Sequence, residues 1–144
     1  VKPFIETIYS SWDSQPVPDE KPHPVGTLVI VPRESDIPLA KELFSKMFNK
    51  LGRSMAEEAG FLAIETNRLR MVKLQKDYQF KRLIMCGIPP YYLSIHSDLP
   101  FHVPVHWRDV YLLRTETPAR LEGGSMEFKT AFWQAFRAGY PAGL

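Results

Sequence analysis

Two short runs of uninterrupted apolar residues, each closed by proline, constrain this chain more than any other feature. The first is Leu28-Val29-Ile30-Val31 ahead of Pro32, and the second is Leu83-Ile84-Met85-Cys86 ahead of Gly87-Ile88-Pro89-Pro90. A strand with one wet face alternates apolar and polar residues. A run without alternation belongs to a strand covered on both faces. Two such strands predict a mostly parallel sheet with helices on either side, an α/β fold of three αβα layers. Ligands of open α/β sheets sit beyond the carboxyl ends of the strands, where the strand order reverses. The candidate functional region therefore lies around Pro32 to Asp36 and Gly87 to Tyr92.

The remaining segments fit one α/β domain over residues 25–144, preceded by an amphipathic peptide and a proline-rich linker over residues 1–24. In the peptide, Phe4, Ile5, Ile8, Tyr9 and Trp12 fall on one face of a helix from Pro3 to Trp12. Pro16, Pro18, Pro22 and Pro24 then impose an extended spacer. Such a peptide either docks on a partner as a helix in a groove or folds back on its own domain. After the first strand, Ser35 or Asp36 caps a helix from Ile37 whose apolar stripe is Leu39, Leu43, Phe44, Met47, Phe48 and Leu51, with Gly52 as the stop. Arg53 to Ala59 adds a helical turn, Phe61 to Glu65 a second strand, and Leu69 to Tyr78 a crossover helix using Leu69, Val72 and Leu74. Pro100 and Pro104 make Pro100 to Trp107 an edge or irregular segment. Val110 to Arg114 is the fourth strand of a four-stranded sheet, Thr115 to Gly124 a polar turn, and Met126 to Ala138 a last helix buried through Phe128, Phe132, Trp133 and Phe136.

A chain of 144 residues is long enough for one sizeable core. Its net charge of +2 is unevenly spread: residues 41–82 carry ten basic and five acidic groups, so a weak DNA contact through 41–82 competes with an ordinary solvated helix surface. The single cysteine, Cys86, lies inside a predicted buried strand, which excludes an internal disulfide and fits a reducing, cytoplasmic compartment. No run of about 18 apolar residues and no signal-peptide pattern is present, so no membrane association is expected.

Candidate chemistry is sparse. His102 and His106 are four apart, but Pro104 forbids the helix that would aim both at one ion, and adding His96 completes no recognisable ligand set. Hydrogen-bonded or surface histidines are the expectation, with no metal and no cofactor. The loop Pro32-Arg33-Glu34-Ser35-Asp36 lacks the glycines of a nucleophile elbow or a phosphate cradle. Glu34 and Asp36 suit either a helix cap or a general base.

The order of elements, with a strand ending in glycine, a Thr-Pro turn and a closing helix bearing Lys129, Trp133 and Phe136, resembles the uracil-DNA glycosylase-like superfamily over about residues 25–138. Thr66-Asn67 falls where some members keep the asparagine that reads the base. The enzymes of that superfamily carry a Gly-Glu/Gln-x-Pro-Gly type loop after the first strand and a His-Pro-Ser type turn before the last helix. Here Pro32-Arg33-Glu34-Ser35-Asp36 and Thr117-Pro118-Ala119 stand instead. A threonine hydroxyl does not replace an imidazole that supports developing negative charge. One cysteine cannot hold the iron-sulfur cluster of other members.

In size, altered loops and N-terminal peptide the chain is similar to the non-catalytic branch of the superfamily, the psi subunits of bacterial DNA polymerase III. That resemblance implies a replication accessory protein whose peptide, through Phe4, Ile5, Ile8, Tyr9 and Trp12, docks on the clamp loader and whose partners are replication or repair proteins. The pocket mouth would be Arg33, Asn67, Gly87, Tyr91 and Thr117. The alternative is an active base-excision enzyme in which Asn67 reads a flipped base, Glu34 or Asp36 orients water and Thr117 lines the site. A second alternative is a small-ligand module using the Tyr91-Tyr92 loop.

Overall fold

The computed structural model describes residues 24–33, 37–64, 70–95 and 98–140. In chain order its elements are strand β1 (Thr27–Pro32), helix α1 (Ile37–Lys50), the single turn α2 (Met55–Glu58), β2 (Ala59–Ile64), α3 (Met71–Tyr78), β3 (Arg82–Cys86), a 3-10 turn (Pro90–Leu93), β4 (Val105–Trp107), β5 (Val110–Thr115), α4 (Pro118–Glu122) and α5 (Met126–Ala138). They form one five-stranded sheet in the order β2-β1-β3-β5-β4. β1 pairs in parallel with both β2 and β3, and β3 in parallel with β5. Only β4 runs antiparallel, on β5.

The two apolar runs are neighbours, and the second is the central strand. Leu28, Val29, Ile30 and Val31 are wholly buried, as are Leu83, Met85 and Cys86. The pleat sends alternate residues to opposite faces. Leu28, Ile30, Leu83 and Met85 meet Met71, Leu74 and Tyr78 of α3 together with Leu93, whereas Val29, Val31, Ile84 and Cys86 meet Phe44 and Phe48 of α1, Leu121 of α4 and Phe132 and Phe136 of α5. Removing each such side chain from water stabilises the fold by roughly 1.5–3 kcal/mol, and a polar residue in either run would break one of the two cores. On the α1 and α5 side, Phe44 sits edge-on to Phe61, Phe132 and Phe136 at centroid distances of 5.9, 6.0 and 5.7 Å, the geometry that aromatic quadrupoles favour.

Four expectations require correction. The sheet has five strands, because Val105, His106 and Trp107 pair with Leu112, Tyr111 and Val110 of β5 as a short antiparallel edge. β2 starts at Ala59 and includes Gly60, where an added Cβ would stand 3.1 Å from Val25 Cγ1, a tight approach to that side chain. The supposed polar turn contains α4, with Thr117 as its N-cap and Pro118 at its first position. In α3 the buried face is Met71, Leu74 and Tyr78, while Val72 is 55% exposed. Ser35, Leu69 and the peptide over residues 1–23 lie outside the described residues.

At the amino end of the strands the turn after α5 is clasped to the sheet. Tyr140 hydroxyl hydrogen-bonds Thr27 Oγ1, and Arg82 donates to Thr27 Oγ1 at 3.2 Å and to the Gly139 carbonyl at 3.2 Å. The guanidinium of Arg82 stacks 3.9 Å from the Tyr140 ring centroid and lies 3.9 Å from Glu58, which also holds Arg53 at 2.7 Å. This cluster sits at the end of the sheet opposite the predicted functional region.

Candidate functional site

The strand order reverses between β1 and β3. β1 is followed by β2 on one side of it, and the chain then crosses to β3 on the other, so the crevice outside Pro32 and Cys86 is where such a sheet binds ligands. Arg33 continues β1 by donating its backbone N–H to the Ile64 carbonyl at 2.8 Å, and its side chain is exposed. Gly87 leaves β3 with φ +74° and donates to the Thr115 carbonyl at 2.8 Å. That left-handed turn carries Ile88, Pro89 and Pro90 down into the core, Ile88 and Pro90 being buried.

Thr117 closes the turn. An added Cβ on Gly87 would collide with Thr117 Cγ2 and stand 3.2 Å from its backbone nitrogen, so the turn after β3 packs tightly against the turn after β5. The Thr117 hydroxyl accepts the Arg120 N–H at 3.4 Å as the cap of α4. Gly87 and Thr117 are thus brought together, and Arg33 stands at the end of β1. Tyr91 is 58% exposed and its ring packs edge-on against Tyr92 at 5.1 Å. Asn67, Glu34 and Asp36 lie outside the described residues, as does His96.

One polar contact escaped sequence reasoning. His102, in a left-handed conformation at φ 61°, donates its backbone N–H to the Arg114 carbonyl and sets Nε2 2.8 Å from Thr115 Oγ1. Its ring is 4.5 Å from Phe128 and 5.6 Å from Phe132 on α5. Burial against these rings holds the imidazole below its usual pKa, and the nearby Glu116 carboxylate acts the other way. A neutral ring suits the role it plays, because Thr115 is wholly buried and its hydroxyl needs a partner. The Phe101 to Arg114 bridge that aligns the pair joins residues thirteen apart, and no local spacing signals it. His106 is exposed on β4, against Tyr111, so the two histidines do not share a ligand site.

Cys86 is wholly buried and desolvation pushes its thiol far above the usual range, which leaves no thiolate. Among the described residues no three His, Cys, Asp or Glu side chains cluster to hold a metal ion. The basic residues of 41–82 are divided between faces: Lys41, Lys46 and Lys50 ride on α1 and Lys73 and Lys76 on α3, across the sheet from each other. Lys73 pairs with Asp77 at 3.3 Å and Lys50 lies over the Trp133 ring at 5.2 Å. No described helix is long and apolar enough to cross a membrane.

Together these features define an α/β protein with a mostly parallel sheet in which the turn after β3 packs against the turn after β5. Compared with known proteins, the chain matches no family model and no curated protein.

Proposed function

We propose that this chain is a non-catalytic protein-interaction subunit on a degenerate uracil-DNA glycosylase-like scaffold, acting as a DNA replication accessory protein of the clamp-loader type. The observation that carries the reading is the contact of Thr117 with Gly87 at the strand ends, where a glycosylase needs an open pocket and a group to support a leaving base. Thr117 spends its hydroxyl on a helix cap. The four parallel strands, with Gly87 ending the central one and α5 closing the domain, are consistent with that scaffold. The partner-binding face is Phe4, Ile5, Ile8, Tyr9 and Trp12, an aromatic stripe joined to the domain by a proline-rich tether.

The test is a pull-down of purified clamp-loader proteins on the immobilised full chain, beside an Ile8→Asp variant. Retention by the parent chain and loss in the variant support the assignment. Failure of the folded parent chain to retain any replication component removes it.

A further inference from the structure

The helices on the α1 and α5 side leave more apolar surface than the sheet covers. α1 buries Ala40, Phe44 and Phe48 but leaves Leu43 and Met47 half-buried, and α5 does the same with Trp133. With Leu121 these side chains floor a groove of about 260 Å³ between α1, α4 and α5. Its rim carries Lys46, Lys50 and Lys129 against the single carboxylate of Glu122. An apolar trough with a basic rim selects an amphipathic segment that is aromatic on one face and acidic in its flanks.

We infer that the occupant is the chain's own N-terminal segment, residues 3–12, bound in cis. Three observations point to it. The segment presents Phe4, Ile5, Ile8, Tyr9 and Trp12 at helical spacing, a stripe that is costly to leave in water. Its charge is complementary: residues 3–12 hold Glu6 and no basic group, and Asp13 follows directly, whereas the groove lining nets +2. The tether is long enough. Residues 13–23, extended by Pro16, Pro18 and Pro22, reach about 34 Å at roughly 3.1 Å per residue. The domain begins at the amino end of β1, and a six-residue strand spans only about 20 Å. α1 runs back toward that end, which brings Met47 and Lys50 near the point of entry.

Tethering gives the segment an effective concentration in the millimolar range, so a contact too weak to capture a free peptide still fills the groove. The groove thereby sheathes the partner-binding stripe, and any partner binds only the undocked fraction. The inference stands whichever partner the stripe meets, since it concerns the chain alone.

The test uses the full chain carrying Ser10→Cys, which lies on the polar side of the stripe, with a nitroxide attached. Buried Cys86 does not compete for the reagent. Expected is paramagnetic loss of the Met47 methyl and Trp133 indole signals, with Val72 and Met71 on the opposite face unchanged and the Trp133 loss reversed by Met47→Glu. In a mixture of labelled chain with isotope-enriched unlabelled chain, no loss is expected. Loss in that mixture would assign the groove to a second copy and overturn the cis contact. So would unchanged Met47 and Trp133 signals, or loss spread evenly over both faces.

Discussion

Gly52 and Gly87 both hold left-handed backbone, at φ +72° and +74°, yet their surroundings differ. Nothing lies within 4 Å of a Cβ at Gly52, whereas Thr117 blocks one at Gly87. Gly52→Ala should cost about 1 kcal/mol, the left-handed penalty alone. Gly87→Ala should cost on the order of 3 kcal/mol, because Thr117 must also give way. Urea unfolding of the two variants measures the difference, and equal losses would mean that the mouth is not closed as described. His102 makes a second prediction at this scale. Its folded pKa lies below its ordinary value near 6.5, so under acid the unfolded chain takes up a proton that the folded chain resists. The stabilising contribution is present above that value and is lost as pH falls through the folded pKa. Stability measured between pH 7.5 and pH 5 should therefore decline on acidification, and His102→Gln, which keeps a hydrogen bond to Thr115, should flatten the decline. An unchanged slope in the variant would contradict this.

At the scale of elements, the account turns on which faces are buried. Phe44 is wholly enclosed and touches three other rings, so Phe44→Ala should cost about 3–5 kcal/mol through the cavity it leaves. Val72, half-exposed on α3, should tolerate Val72→Ser within about 0.5 kcal/mol. Thermal unfolding of both variants checks the pair, and a large loss at Val72 would mean that α3 is rotated on the sheet. The difference was legible in the sequence: Met71, Leu74 and Tyr78, at spacings of three and four, share one helix face, whereas Leu69, Val72 and Leu74, at three and two, do not. The apolar runs of β1 and β3 were legible, since a strand buried on both faces admits no polar residue. α5 was legible for a related reason: its stripe is long, aromatic and introduced by Ser125, which accepts the Phe128 N–H. α4 was not, because Thr117-Pro118 reads equally as a turn and as a cap followed by a first helical residue. β4 is three residues long beside Pro104, too short to show a period.

For the whole molecule, sequence patterning reached the layered α/β fold and its mostly parallel sheet. It did not reach the His102 and Thr115 contact, which exists only after the chain has doubled back, nor the half-buried trough left between α1 and α5. The reading of the molecule as a scaffold without bond-breaking chemistry rests on Thr117 packed against Gly87 at the carboxyl ends of β5 and β3. The most direct measurement is release of free base from uracil-containing single-stranded DNA by an excess of the folded full chain. No release above a protein-free blank is predicted; release that is abolished by Asn67→Ala would contradict the account.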